Sequence, residues 1–233
     1  MGKMSKETVY TIPKGRHKSR PFVLDSVKPR HKVESREFKC VLTKSCIYVF
    51  RKPGGGLDQN QWDFSKLRGY SFCMFDNHKN TNMGAWRWNP VKTEFDLTSY
   101  FHINGETYIG PGRTQILWRD KYTARQAHDA MPSLFSFYAE HVDKFDSVLH
   151  YKLLDGVRLM ATVGPDELFH YRLLTDWENL QFGVGFKTSS TNWIWVDDWT
   201  SMLEAGAWSR DILHWFGGDF SAPHKMKIYE WKV

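Results

Sequence analysis

The chain has 233 residues, 41% of them hydrophobic and 25% charged, so it is long enough to bury a full core and too apolar to be a disordered chain. No stretch approaches the length of a membrane-spanning helix, and no basic start leads into an apolar signal segment, so a soluble protein without membrane contact is expected. The net charge of +6 is unevenly spread: residues 1–52 hold 14 Lys and Arg against 4 Asp and Glu, and the remainder is net acidic at −4.

Residues 1–36 read as a basic extended arm, because Pro13, Pro21 and Pro29 exclude long helices. Thr8–Ile12 and Pro21–Leu24 could add short strands to a sheet edge. Lys14, Arg16, Lys18 and Arg20 concentrate positive charge there and predict contact with an anionic partner surface. Glu37–Phe50 has the composition of a long β run, which the Pro53-Gly54-Gly55-Gly56 cluster ends, and residues 53–68 read as loop.

Tyr70–Phe75, Met83–Asn89 and Glu94–Asn104 follow as strands. In the last, Phe95, Leu97, Ser99, Phe101 and Ile103 share one parity; Asp96, Thr98, Tyr100 and His102 share the other. That is the alternation of a half-buried strand. Asn89-Pro90 and Asn104-Gly105 mark the turns around it. Arg87 has the opposite parity to Trp86 and Trp88, and is placed to pair with an acid across the sheet.

Residues 113–145 change period. Ala124, Ala127 and Ala130, then Pro132, Leu134, Phe135, Tyr138, Val142 and Phe145, recur at three- and four-residue spacing and predict a small helical insertion. Strands resume near 147–152, 157–163, 168–174, 180–187, 192–197, 211–216 and 224–232. The whole reads as a mainly β chain: a β-sandwich domain over 37–233 of jelly-roll or concanavalin-like type, carrying the insertion and preceded by the arm.

The residues offer several chemistries. Glu94 and Asp96 begin a strand pattern used by sandwich-fold glycosidases, but the third carboxylate, due at Thr98 or Ser99, is missing. A pair of carboxylates is the machinery of glycoside hydrolysis, so the expectation is of a non-enzyme with no catalytic residues. Trp193, Trp195, Asp197 and Trp199 would share one face of an extended strand, which suits either a subunit contact or stacking on sugar rings. His214, His224, Asp211 and Asp219 lie close in sequence without a metal-ligand spacing, and the Gly54–Gly56 run lacks the Lys-Ser/Thr of a phosphate loop, so no metal or cofactor is expected. Cys40, Cys46 and Cys73 form no CxxC, and their odd number points away from a disulfide framework and toward a reducing compartment. The arm could touch nucleic acid electrostatically, but no recognised nucleic-acid module accompanies it.

Two loop-then-strand signatures carry a family resemblance. They are His78-Lys79-Asn80-x-x-x-Gly84-x-Trp86-Arg87 and Phe216-Gly217-Gly218-Asp219-x-x-Ala222-Pro223-His224. With the Thr11–His17 start, they resemble an uncharacterised β-sandwich family of Bacteroidetes and their tailed phages. The helical insertion and the Trp-rich 180–200 region depart from it. The resemblance implies a sandwich fold and a phage or Bacteroidetes setting, but no reaction. Together these readings give a structural or adaptor protein of a large assembly, a phage virion put together in the host cytoplasm. Its partners would be copies of itself or a capsid or tail protein, met through Lys14, Arg16, Lys18, Arg20, Trp193, Trp195 and Trp199. The alternative is a carbohydrate-binding sandwich module using Trp193, Trp195, Asp197 and Trp199.

Overall fold

The computed structural model describes residues 6–21, 28–29, 33–72, 79–110, 114–116, 159–176, 181–195, 200–201, 208–217 and 220–233. Its strands, in chain order, are β1 (Glu7–Ile12), β2 (Lys28–Pro29), β3 (Val33–Leu42), β4 (Ser65–Ser71), β5 (Asn80–Asn89), β6 (Glu94–Ile103), β7 (Glu106–Ile109), β8 (Thr114–Ile116), β9 (Ala161–Val163), β10 (Leu168–Asp176), β11 (Gln181–Lys187), β12 (Ile194–Trp195), β13 (Thr200–Ser201), β14 (Trp208–Ile212) and β15 (Met226–Lys232). They form two antiparallel sheets. The first runs β1-β15-β3-β10-β11-β12, with β13 also on β11. The second runs β2-β14-β4-β5-β6-β7-β8, with β9 on β6. The β-sandwich expected from the turn and strand pattern is the observed fold.

The core lies between the sheets. β1, β3 and β10 contribute Tyr10, Ile12, Phe38, Cys40, Leu42, Phe169, Tyr171 and Leu173, all buried, and Trp86, Phe95, Leu97 and Phe101 meet them from β5 and β6. Removing this much aromatic and aliphatic surface from water is the main force holding the layers together. The β6–β7 hairpin turns at Asn104 (φ 52°) and Gly105 (φ 88°), a two-residue loop whose positive φ values match the twist of its strands. Asn89 caps the preceding turn, its Oδ1 accepting from the N–H groups of Val91 and Lys92 at 3.2 Å.

Five expectations change. Thr8–Ile12 adds an edge strand as expected, β1 pairing with β15, but the 1–36 arm is not separate from the sandwich: Tyr10 and Ile12 are core residues and the boundary at 36 falls inside β3. The Tyr10/Ile12 alternation, not the surrounding charge, decides the placement of this segment. The long Glu37–Phe50 run stops at Leu42, where Thr43 Oγ1 accepts from the Ser45 N–H and starts a 3₁₀ turn over Lys44–Cys46. The 53–68 loop holds a second 3₁₀ turn at Gln59–Trp62 and the first residues of β4. β6 is buried on both faces from Phe95 to Ile103, so its alternation separates two kinds of buried surface, not core from solvent. Of the predicted helical insertion, Thr114–Ile116 is strand; the rest lies outside the described residues, as does the strand expected at 147–152.

Candidate functional site

The second sheet's outer face is unusual in chemistry. A sheet surface turned away from the core is ordinarily solvated. Here Thr81 and Arg87 from β5, Asp96, Thr98, Tyr100 and His102 from β6, and Thr107 from β7 are all buried, within a polar layer that Met83, Ala85, Ile109 and Phe64 interrupt.

Lys66 of β4 enters this layer. Its Nζ lies 4.6 Å from the centre of the Tyr100 ring and donates to Gly217 O at 3.3 Å. The residue is half-buried, with its amine held between the Tyr100 ring and the Gly217 carbonyl. Desolvation, partly offset by the Asp63 charge, lowers its pKa to about 8. Tyr100 goes the other way: burial and then the Asp63 charge raise its pKa well above the usual phenol value, against a hydrogen bond with Thr107. Thr107 Oγ1 also lies 3.1 Å from His102 Nδ1, and the Tyr100 and His102 rings meet edge to face at 5.3 Å. An amine that loses its proton in mild alkali therefore sits on a phenol that keeps one.

Arg87 pairs with an acid across the sheet, as its parity predicts. Its Nε donates to Asp96 Oδ2 at 2.8 Å directly across from β6, and its guanidinium lies over the rings of Phe64 and Trp62 at 4.6 and 5.1 Å. Asp96 is thereby committed to an ion pair, and Glu94 stands half-buried at the strand end, so the two acids of the glycosidase-like pattern do not act as a free pair.

Between the sheets lies a second polar cluster. Arg68 Nη2 donates to Asp211 Oδ2 at 2.5 Å, and Arg36 donates to Asp211 Oδ1 at 3.1 Å. Tyr171 donates to Glu230 Oε2 at 2.6 Å. His214 Nε2 lies 3.1 Å from the same oxygen. Burial opposes charge on Glu230, yet His214, Tyr171 and Arg68 together hold its pKa below the usual value. Both carboxylates serve to lock the layers, and His224 bonds instead to Ser45 O. Among the described residues no group of His, Cys, Asp or Glu could hold a metal ion.

The sequence-predicted residues divide. Lys14, Arg16, Lys18 and Arg20 are exposed on a strap that follows β1 and docks on the protein's own C-terminal segment: Gly15 N–H donates to Ala222 O at 2.8 Å, Phe216 N–H to His17 O at 2.8 Å, and Ser19 N–H to His214 O at 3.1 Å. Trp193 is half-buried on the outer side of the first sheet, where the Arg172 guanidinium covers its ring at 4.6 Å and Glu37 holds both Arg172 and His170. Burial disfavours charge on Glu37, but hydrogen bonds from Arg172 and His170 prevail and lower its pKa. Trp195 is in β12, opposite Gly185, while its side chain, Asp197 and Trp199 lie outside the described residues. The Tyr100/His102 parity marked the polar layer; Lys66 was hidden by the loop-like composition before it.

No family model matches the chain. Among solved structures it is similar to the marine PL-14 alginate lyase from Aplysia kurodai, at 9% identity over 96% of this chain and 80% of that one, with a TM-score of 0.42. It is also similar to a xylan beta-1,4-xylosidase from Bacillus halodurans C-125, at 7% identity over 85% of this chain and 27% of that one, with a TM-score of 0.37. Neither likeness bears on the chemistry of the site.

Proposed function

We propose that the outer face of the second sheet binds a polysaccharide and that Lys66 and Tyr100 exchange protons with it. The observation that carries this reading is the Lys66 amine, with a pKa of about 8, packed on a phenol that stays protonated. A base and an acid of this kind, side by side, suit general acid–base work near neutral pH.

Hydrolysis would call for two carboxylates, and Asp96 is already paired with Arg87. An amine and a phenol fit elimination from a uronic-acid unit instead. Lys66 removes the proton on the carbon bearing the carboxyl group, the electrons of that C–H bond form a C=C bond, and the neighbouring glycosidic C–O bond breaks. Tyr100 protonates the departing oxygen, and proton transfer from the Lys66 ammonium to the phenolate restores both groups.

The test is incubation of the full chain with a panel of polyuronates, following the ultraviolet absorbance of the new double bond. Wild type should form unsaturated product, and Lys66→Met should lose about 10²-fold or more in rate while staying folded. Absence of both product and glycan binding across the panel would sink the reading.

A structural role in a larger assembly stands as a second reading, supported by Val9, which is 39% exposed on the edge strand β1. Copurification of the chain with a particle, lost on Val9→Lys, would favour it.

A further inference from the structure

Backbone pairing extends the outer face of the second sheet beyond β4. Ala85 pairs with Lys66, Lys66 bridges to Trp215, and Trp215 bridges to Lys18 of the basic strap. Residues paired in this way present their side chains to one face. The side-chain contacts agree: Lys18 Nζ lies 5.5 Å from the centre of the Trp215 ring, and His17 stacks on that ring at 5.2 Å and 21°. Ala85 is buried, Lys66 and Trp215 are half-buried, and Lys18 is exposed, so the face opens to solvent at this edge.

We propose that the strap residues Lys14, Arg16 and Lys18, with Trp215, form a subsite that holds a polyanionic glycan as it runs into the Lys66 site. The inference rests on the polysaccharide reading above. Three exposed cations occupy five consecutive residues, and no Asp or Glu lies between Glu7 and Asp25, so the charge along the strap is uncompensated within it. Such a stripe attracts an anionic chain and raises its rate of arrival. The strap is fixed by backbone hydrogen bonds to Phe216 and Ala222, so its cations are held in place before a ligand arrives. Trp215, with His17 stacked on its ring and the Lys18 amine beside it, links the cations to the Lys66 strand. Glycan is favoured over nucleic acid because the row of paired residues leads from the strap to Lys66, the base of the proposed elimination.

The test compares the full chain with the charge-reversed variant Lys14→Glu/Arg16→Glu/Lys18→Glu, using a polyuronate, a neutral β-glucan and a single-stranded oligodeoxynucleotide. Affinity is measured over a range of salt, and unsaturated product is followed in parallel. The variant should keep the wild-type melting temperature and lose about tenfold or more in polyuronate affinity, with a flatter salt dependence. Affinity for the neutral glucan should not change. If wild type forms product and the variant binds and processes polyuronate equally well, the strap inference falls and the Lys66 reading survives. If wild type neither binds polyuronate nor forms product, the site reading itself falls and takes this inference with it. Tighter wild-type binding to the oligonucleotide than to polyuronate, lost in the variant, would assign the strap to nucleic acid and overturn the proposal.

Discussion

Lys66 and Trp215 exchange two backbone hydrogen bonds, Lys66 N–H donating to Trp215 O at 2.7 Å and Trp215 N–H donating to Lys66 O at 3.0 Å. This bridge fixes the base of the Lys66 side chain against the segment that receives its amine at Gly217 O. It also joins the enclosed polar layer to the charged strap.

Lys66→Met should stabilise the protein at neutral pH. The folded-state pKa of about 8 lies below the ordinary 10.5, so the unfolded chain binds the extra proton and the native state bears the cost of charging below about pH 8. For wild type, stability should rise between pH 8 and 10.5 as the unfolded chain gives up that proton. The variant's advantage, on the order of 1–3 kcal/mol at pH 7, should shrink over the same interval. Denaturant melts at three pH values check this; a destabilised variant at pH 7 would contradict the desolvation argument.

Breaking the Arg87–Asp96 pair from one side should cost about 3–5 kcal/mol, because the surviving charge is left in a layer with almost no solvent contact. The double change Arg87→Met/Asp96→Leu should recover much of that loss. Equal losses in the single and double variants, read by urea unfolding, would show that the pair is not coupled.

Glu230→Gln should destabilise the sandwich and shift its acid unfolding. Because the folded pKa is depressed, the wild-type contribution is complete above the ordinary carboxylate value of 4.5 and disappears as pH falls through the folded value. Wild type and variant should therefore converge in stability in strong acid. A constant gap down to low pH would point to packing, not charge.

Tyr10→Ala should cost about 3–5 kcal/mol, since its ring is buried against His214 at 4.7 Å and its hydroxyl accepts from Arg68 at 3.2 Å. Removal of residues 1–12 should be worse, exposing the outer edge of β15. A truncated chain that melts like the full one would restore the detachable arm.

The sequence was most legible where one strand contains its own pattern. The β6 alternation assigned Phe95, Leu97 and Phe101 to the core, Arg87 announced its partner on the next strand, and Asn104-Gly105 named its own turn. All three depend on neighbours within about one hairpin. The candidate site depends on distant pairings: Lys66 meets a carbonyl 151 residues away, and its strand follows a glycine-rich segment that looks like loop. Nothing local indicates that the polar parity of β6 is enclosed. The core role of β1 is hard to read for another reason: its Tyr10/Ile12 alternation is short and surrounded by cations.

The position of β15 between β1 and β3 sets an order on folding. β1 has no partner along its full length other than β15, so the burial of Tyr10 and Ile12 depends on a strand far away in the sequence. Closing that pairing joins segments far apart in sequence, a loop-closure cost that local hairpins such as β6–β7 avoid. In the second sheet, β4 to β8 are joined by sequential hairpins, and only β2, β9 and β14 enter through long-range pairings. In the first sheet β3, β10 and β11 pair without β15, and Met226–Lys232 is the strand that ties β1 to them.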